Sequence, residues 1–193
     1  MPASTPSTPS TPSGPALGAD DRREALVAAL VELEHHVADA GWEGPPRLFA
    51  LVETDELAAA EPDLARSLGL RTTADGAAPG ALTAIEQDTF VGSGDLLSDL
   101  DGIEWPDGVF GTAVAAVRTF LPSGTDVELP EDPDEAAALV AAHPAAQEIR
   151  VVVGVDRSGQ QHGVARLRSQ PDELLGGTDL VPGLASALAH TLG

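Results

Sequence analysis

Acidic and histidine side chains share one face of the first predicted helix. Four of them recur three or four residues apart, a spacing that places side chains on the same side of a helix: Glu32, His35, His36 and Asp39. Two such side chains can bind one metal ion or act as an acid–base pair in hydrolysis. The remaining histidines lie on separate predicted elements: His143, His162 and His190. The pattern leaves two interpretations open, a metal-dependent or acid–base hydrolase and a solvated helix face.

The cationic residues are segregated along the chain. Residues 72–149 hold fifteen acids and one cation, whereas residues 148–168 hold four arginines and two acids. Three of these arginines and a histidine are expected on one face of a hairpin: Arg150, His162, Arg166 and Arg168. Because guanidinium groups bind carboxylates bidentately, this face is a candidate partner-binding surface, with internal ion pairing as the favoured alternative. We expect replacement of Arg166 and Arg168 by alanine to leave folding intact.

The two tryptophans are further candidates for contact with a partner. The chain has only six aromatic residues, two tryptophans and four phenylalanines. Trp42 and Trp105 each lie close to proline at a predicted element boundary, where a half-exposed ring can line a groove. Packing in the core is the other interpretation, since scarce aromatic side chains usually fill the interior.

Composition excludes several classes of chemistry. The chain has no cysteine and no lysine, which rules out thiolate nucleophiles, disulfides, cysteine-based zinc sites and lysine Schiff bases. Its formal net charge of −21 argues against binding to nucleic acid or to an anionic membrane, both of which require a cationic surface. No motif points to a cofactor, and none is expected. The absence of a long apolar segment predicts a cytoplasmic protein.

Periodicity and capping signals predict the order of the elements. We expect helices at residues 21–40, 55–69 (broken at Pro62), 95–100, 132–142 and 181–192, and strands at residues 47–52, 82–88 and 109–120. Residues 148–168 are predicted to form a β-hairpin around Arg157-Ser158-Gly159. If Asp156 faces Gln160, one face of the hairpin is aliphatic and the other carries the arginines.

This order predicts a two-layer α+β fold. Short links and a hairpin favour a mostly antiparallel sheet of about five strands, with the helices packed on one face. Residues 1–19 carry no charge and are rich in serine, threonine and proline, which predicts a disordered tail. Residues 20–193 are then expected to form a single domain.

Several segments resemble a known family. They include Gly41-Trp42, the run from Pro45 to Val52, Trp105-Pro106-Asp107, the segment from His143 to Arg168, and the run from Leu180 to Leu184. The chain resembles a propionibacterial, locus-named family of actinobacterial hypothetical proteins over nearly all of residues 20–192. That family lends no catalytic residues. The element order is separately similar to that of type III secretion chaperones and YbjN-like domains, which bind extended protein segments.

These observations favour a non-enzymatic role. The leading hypothesis is a protein-interaction or chaperone-like module that binds a protein segment, or a second copy of itself, by strand addition at the sheet or hairpin edge. The alternative is the hydrolase that uses the helix carrying His35 and His36.

Overall fold

We describe residues 17–93, 95–181 and 183–193 from a computed structural model. The helices are α1 (Ala19–Ala38), α2 (Thr54–Ala60), α3 (Pro62–Ser67), α4 (Leu96–Leu100), α5 (Pro133–Ala142) and α6 (Leu184–Thr191). The strands are β1 (Arg47–Glu53), β2 (Leu82–Glu86), β3 (Gly111–Phe120), β4 (Gln147–Asp156), β5 (Gln161–Leu167) and β6 (Gln170–Gly177). The predicted tail falls largely on residues 1–16, which lie outside the described residues, and the domain limits stay a prediction.

The six strands form one antiparallel sheet. Their order is β2-β1-β3-β4-β5-β6, so β2 and β6 are the edge strands. The predicted α+β class is confirmed, with six strands where about five were expected. The additional strand is β6, whose residues are mostly exposed and end in a glycine pair. Its sequence lacks the alternation of apolar and polar residues by which strands are recognised.

Helices cover both faces of the sheet, which corrects the prediction that they pack on one face. Alternate residues of β3 and β4 point to opposite sides. On one side, Leu26, Leu30 and Leu33 of α1 pack against Phe49, Leu51, Ala113, Ala115 and Val152. On the other side, Leu184 and Leu188 of α6 and Leu96 and Leu100 of α4 pack against Leu48, Ala50, Val114, Val151 and Val153. The central strands are apolar on both faces, a pattern typical of a sheet that is covered on both sides.

The predicted hairpin is confirmed in its register. Val155 pairs with Gln161 and Ile149 with Leu167, which places Asp156 opposite Gln160. The side chain of Asp156 accepts hydrogen bonds from the backbone N–H groups of Ser158 (2.8 Å) and Gln160 (3.0 Å), and these bonds fix the turn. The aliphatic residues of the hairpin therefore face α6. The arginine face lies under α1.

The first helix begins two residues before its predicted start. Asp21 is its third residue, and one carboxylate oxygen accepts a hydrogen bond (3.1 Å) from the backbone N–H of the cap residue Gly18. A carboxylate at the third position satisfies one of the amide groups that a helix start leaves without a partner. The predicted break at Pro62 is confirmed, because α2 and α3 are separate helices.

Candidate functional site

Two buried charges and one that is largely buried form a cluster between α1 and the hairpin, which we call the Glu34 cluster: Glu34, Arg150 and Arg166. Arg150 donates from Nε (3.1 Å) and Nη2 (2.7 Å) to Oε1 of Glu34. Arg166 donates from Nε to Oε1 (2.9 Å) and from Nη2 to Oε2 (2.8 Å). Glu34 is fully buried and Arg150 is 4% exposed. Two of the predicted partner-binding arginines therefore bind a carboxylate of their own chain.

The carboxylate of Glu34 stays ionised despite its burial. Burial raises the pKa of Glu34 and is the largest single effect, but the hydrogen bonds and charges of Arg166 and Arg150 together outweigh it, so the pKa is lowered. The same pairing raises the pKa of Arg166. One negative and two positive charges leave the cluster with a net charge of about +1, which the neighbouring aromatic ring and a backbone carbonyl help to accommodate.

Trp42 lies beside this cluster. The guanidinium carbon of Arg150 is 4.6 Å from the centre of its ring, and that of Arg168 is 5.9 Å away. Nη1 of Arg150 also donates to the carbonyl oxygen of Gly41 (3.3 Å). Arg168 is half exposed and pairs with Glu148. Trp42 is therefore half buried, and its ring contacts two arginines of its own chain. This role differs from both interpretations considered from the sequence, a ring that lines a partner groove and a ring that packs in the core.

The contrast between the two neighbouring arginines leads to a prediction. Arg168→Ala removes a surface ion pair, and we expect it to lower the free energy of unfolding by less than about 1 kcal/mol. Arg166→Ala removes half of the hydrogen bonds of a buried carboxylate, and we expect a loss of about 3 kcal/mol. Urea denaturation of each single variant measures the difference. Equal stabilities of the two variants would contradict the assignment. If both variants were as stable as the native protein, the expectation from sequence that these replacements leave folding intact would be supported.

Trp105 belongs to the opposite face of the sheet. Its ring packs against the α4–α6 side of the core, and its Nε1 donates to Oγ1 of Thr191 (3.0 Å). Arg157 ties the same region together, because it donates to the carbonyl oxygens of Val109 (2.8 Å), Trp105 (3.1 Å) and Leu192. Trp42 and Trp105 therefore do not form one surface.

His162 is half buried on the α1 side of β5. Its Nδ1 is buried and has no hydrogen-bond partner within the part of the chain that the structure describes. Burial, and secondarily the charge of Arg23, lower the pKa of His162, so the ring is neutral at physiological pH. His162 shares a face with Arg166 and Arg150. The sequence-based grouping of these residues on one face is therefore correct, but the face is covered by α1.

The candidate metal ligands lie on the solvent side of α1. Four side chains are exposed: Glu32, His35, His36 and Asp39. Nε2 of His36 lies 3.2 Å from Nη2 of Arg47, and this cation disfavours a metal ion at the same ring. Within residues 17–93, 95–181 and 183–193, no three metal-ligating side chains come together. No observation therefore favours the hydrolase interpretation.

A groove that sequence reasoning missed runs between α1 and the edge strand β2. Its wider part encloses about 660 Å³ and is lined by small residues of α1 and of the loop before β2: Ala25, Ala28, Ala29, Ala77, Ala78 and Ala81. Leu70 and Arg71, from the segment after α3, line it as well. A narrower part of about 280 Å³ continues along α1 toward His36 and shares Ala29, Glu32 and Leu82 with the first. We call the two parts together the α1–β2 groove. Its only sequence signal is the recurrence of alanine three and four residues apart in α1.

The outer edge of β2 borders this groove. The backbone N–H of Gln87 donates to Leu48 (2.9 Å) and that of Thr54 donates to Ala81 (2.9 Å), so the odd-numbered residues of β2 bond to β1. The N–H and C=O groups of the three even-numbered residues then point away from the sheet: Leu82, Ala84 and Glu86. Among the described residues, none donates to or accepts from these groups. The groove and the edge together form a surface suited to an extended chain.

The sequence model of one protein family matches residues 26–193, well over half of the chain. The chain belongs to the PPA1309-like protein family. The predicted resemblance to a locus-named family is thereby confirmed. The match covers the Glu34 cluster, the edge strand β2 and most of α1, whereas Asp21 and Glu24 precede it.

No curated protein and no solved structure matches this PPA1309-like chain. The similarity in topology to type III secretion chaperones therefore stays a prediction, as does the cytoplasmic location. No helix of the described residues is long and apolar enough to cross a membrane. Membership of the PPA1309-like family assigns no role to any residue of this chain.

Proposed function

We propose that this protein is a non-enzymatic interaction module that binds an extended protein segment as a seventh strand at the β2 edge. The observation that carries the proposal is the row of outward backbone groups at Leu82, Ala84 and Glu86 beside the α1–β2 groove. Backbone hydrogen bonds supply affinity in strand addition, and alternate side chains of the added strand enter neighbouring pockets. The small residues along the groove leave room for those side chains.

Both sides of an added strand would find apolar contacts. Leu82 and Ala84 belong to the apolar cluster under α1, so every second side chain of the partner would lie against α1. Ile85 points to the opposite face and is 37% exposed. A partner side chain that covers Ile85 would remove apolar surface from water, which stabilises the complex by about 25 cal/mol for each Å² of apolar surface buried.

The β6 edge is less suited to strand addition. Its residues are mostly exposed and include Asp172 and Glu173, and its pairing with β5 is irregular between Ala165 and Leu167. Charged side chains and bulges are the means by which edge strands avoid pairing with other chains. We therefore propose the docking edge at β2, whereas the sequence left the edge of the sheet and the edge of the hairpin both open.

A proline substitution tests the proposal. Ala84→Pro removes an outward N–H but no bond to β1, and proline is tolerated at such positions of edge strands. In an extended conformation, a peptide of about nine residues is as long as the helix α1. When phage-displayed random peptides of this length are selected for binding to the native protein, we expect particular sequences to be enriched. The enriched peptides should bind Ala84→Pro at least about tenfold more weakly.

The matched control is Ala84→Ser, which keeps the N–H group and adds only one hydroxyl oxygen at a position where the groove is lined by a small side chain. It should bind the enriched peptides as the native protein does, and thermal unfolding of both variants verifies their folding. Peptides methylated at the backbone amides that face β2 provide a second test that leaves the protein unchanged, because they should lose binding. Enrichment of no peptide, or equal binding by the proline variant and the methylated peptides, would overturn strand addition.

A further inference from the structure

We infer that the segment bound in the α1–β2 groove is basic, with two arginine or lysine side chains four positions apart and a small apolar residue midway between them. This inference rests on the proposed strand addition and specifies the chemistry of the partner. The structure supports it through the charges that line the groove, their spacing along α1 and the electrostatics of the surrounding surface.

Two exposed carboxylates of α1 line the groove. Glu24 and Glu32 are both exposed, and neither forms an ion pair or a side-chain hydrogen bond within the described residues. The other acids of the groove are engaged, because Asp21 accepts a hydrogen bond from the backbone N–H of Gly18 and Glu86 pairs with Arg47. Glu24 and Glu32 are therefore the carboxylates available to a partner.

The groove offers little positive charge in return. Arg71 is the one arginine that lines its wider part, and Nη2 of Arg71 donates to the carbonyl oxygen of Asp75 (2.9 Å). His36 lines the narrower part and lies against Arg47. An anionic segment would meet uncompensated carboxylates along most of the groove, whereas a cationic one would pair with them.

The spacing of the two carboxylates matches an extended chain. Glu24 and Glu32 are eight residues apart on α1, a rise of about 12 Å. Side chains four residues apart in a strand point to the same side and lie about 13 Å from each other. α1 and β2 run in the same direction, since Glu86 at the end of β2 and His36 near the end of α1 both contact Arg47. Exposed Ala28, one turn from each glutamate, leaves space for a small side chain.

The surface next to the groove is also negative. Glu53 pairs with Leu82 across the sheet, and burial together with the charges of Glu56 and Asp55 raises its pKa, against the opposing effect of Arg22. Burial is the largest of these effects, but Glu56 and Asp55 add two carboxylates close to Glu53, and a cationic segment would relieve their repulsion. The whole chain has a net charge of −21, which also favours rapid association with a basic partner.

Two other occupants fit these charges less well. A second copy of the chain has the same negative charge, so its approach would bring like charges together. Residues 1–16 of the chain itself contain no charged side chain, so they offer no cation to Glu24 or Glu32. Each of these occupants is an outcome of the experiment below.

The experiment uses synthetic peptides whose binding is followed by fluorescence anisotropy. One peptide has two arginines four positions apart, valine midway and threonine at the alternate positions, and a matched peptide has glutamine in place of both arginines. We expect the arginine peptide to bind the native protein about tenfold more tightly than the glutamine peptide. The preference should shrink as salt rises from about 50 mM to about 500 mM, because exposed ion pairs are screened.

Variants of the protein assign the preference to the groove. Glu24→Gln with Glu32→Gln should abolish the preference for the arginine peptide. Glu128→Gln with Glu131→Gln is the matched control, since it makes the same chemical change at two exposed glutamates away from the groove and should leave the preference intact.

The outcomes separate this inference from the proposed function. Equal binding of the two peptides, lost in both cases with Ala84→Pro, would overturn the basic partner and leave strand addition standing. Preference for the arginine peptide that survives Ala84→Pro would overturn strand addition alone. No binding by either peptide would overturn both proposals.

Two further outcomes would identify the other occupants. If the chain sediments as a dimer and Ala84→Pro makes it sediment as a monomer, a second copy occupies the groove. If deletion of residues 1–16 increases peptide binding, that segment occupies the groove.

Discussion

Replacing Glu34 by glutamine should lower the free energy of unfolding by about 3–5 kcal/mol. The substitution keeps the size of the side chain but removes the carboxylate charge that both arginines share. The buried Arg150 and the largely buried Arg166 then lose this counter-ion. Domains typically have only about 5–15 kcal/mol of stability, so the loss is a large fraction of the whole. Urea denaturation should show a lower midpoint, and thermal unfolding a Tm lower by roughly 6–20 °C.

Glu32→Gln is the matched control for this experiment. It makes the same chemical change two residues earlier on the same helix, but at an exposed side chain, so stability should change by less than about 0.5 kcal/mol. If both variants unfold at the same urea concentration, the buried carboxylate does not stabilise the fold in the way that its contacts indicate.

The effect of Glu34→Gln should also depend on pH. Because the folded pKa of Glu34 lies below its usual value, the stabilisation is fully present above the unfolded pKa of about 4.3 and is lost as pH falls through the folded pKa. The native protein and the variant should therefore differ most at neutral pH and converge in acid. A difference that persists unchanged at about pH 2 would assign the effect to packing rather than to charge.

Replacing Arg150 by methionine should cost a similar amount, about 3–5 kcal/mol. Methionine retains much of the apolar stem but loses two hydrogen bonds to Glu34, one to the carbonyl of Gly41 and the stack on Trp42. Denaturation followed by circular dichroism measures the loss. Tryptophan fluorescence of the folded variant combines the emission of Trp42 and Trp105, and we expect it to change because Arg150 stacks on Trp42.

Arg168→Met is the control for the arginine substitution, since Arg168 faces the same indole ring from the half-exposed side. It should cost less than about 1 kcal/mol. The double variant with Glu34→Gln and Arg150→Met provides a further test, because the two side chains act on one another. Its loss of stability should be smaller than the sum of the single losses by about 1–3 kcal/mol, and an additive result would contradict the direct coupling.

The Glu34 cluster also connects the core with the proposed docking surface. Glu34 pairs the inner face of α1 with the hairpin, and together with the leucines of the same face it orients the helix on the sheet. The same orientation presents Glu24, Ala28 and Glu32 to the groove. A variant of Glu34 that remains folded should therefore also weaken peptide binding, through the position of α1 rather than through direct contact.

Local signals in the sequence were sufficient for most elements. The predicted strand at residues 109–120 corresponds to β3, and Pro133 begins α5 after a cap at Asp132, whose carboxylate accepts from the backbone N–H groups of Asp134 (2.9 Å) and Glu135 (3.0 Å). The hairpin register follows from the turn at Gly159. In each case, the physical cause lies within a few residues of the element itself.

The chain alone therefore determined the α+β class, the hairpin with its aliphatic and arginine faces, and the lack of any cysteine or lysine chemistry. Only the tertiary structure decided that α1 covers the arginine face and that Glu34 supplies its counter-charge. Glu34 follows Leu30 by four residues and so lies on the apolar stripe of α1, but its burial requires Arg150 and Arg166, which are more than a hundred residues away. The docking edge was likewise set by strand order, because pairing between distant segments determines which strand is left at the edge of a sheet.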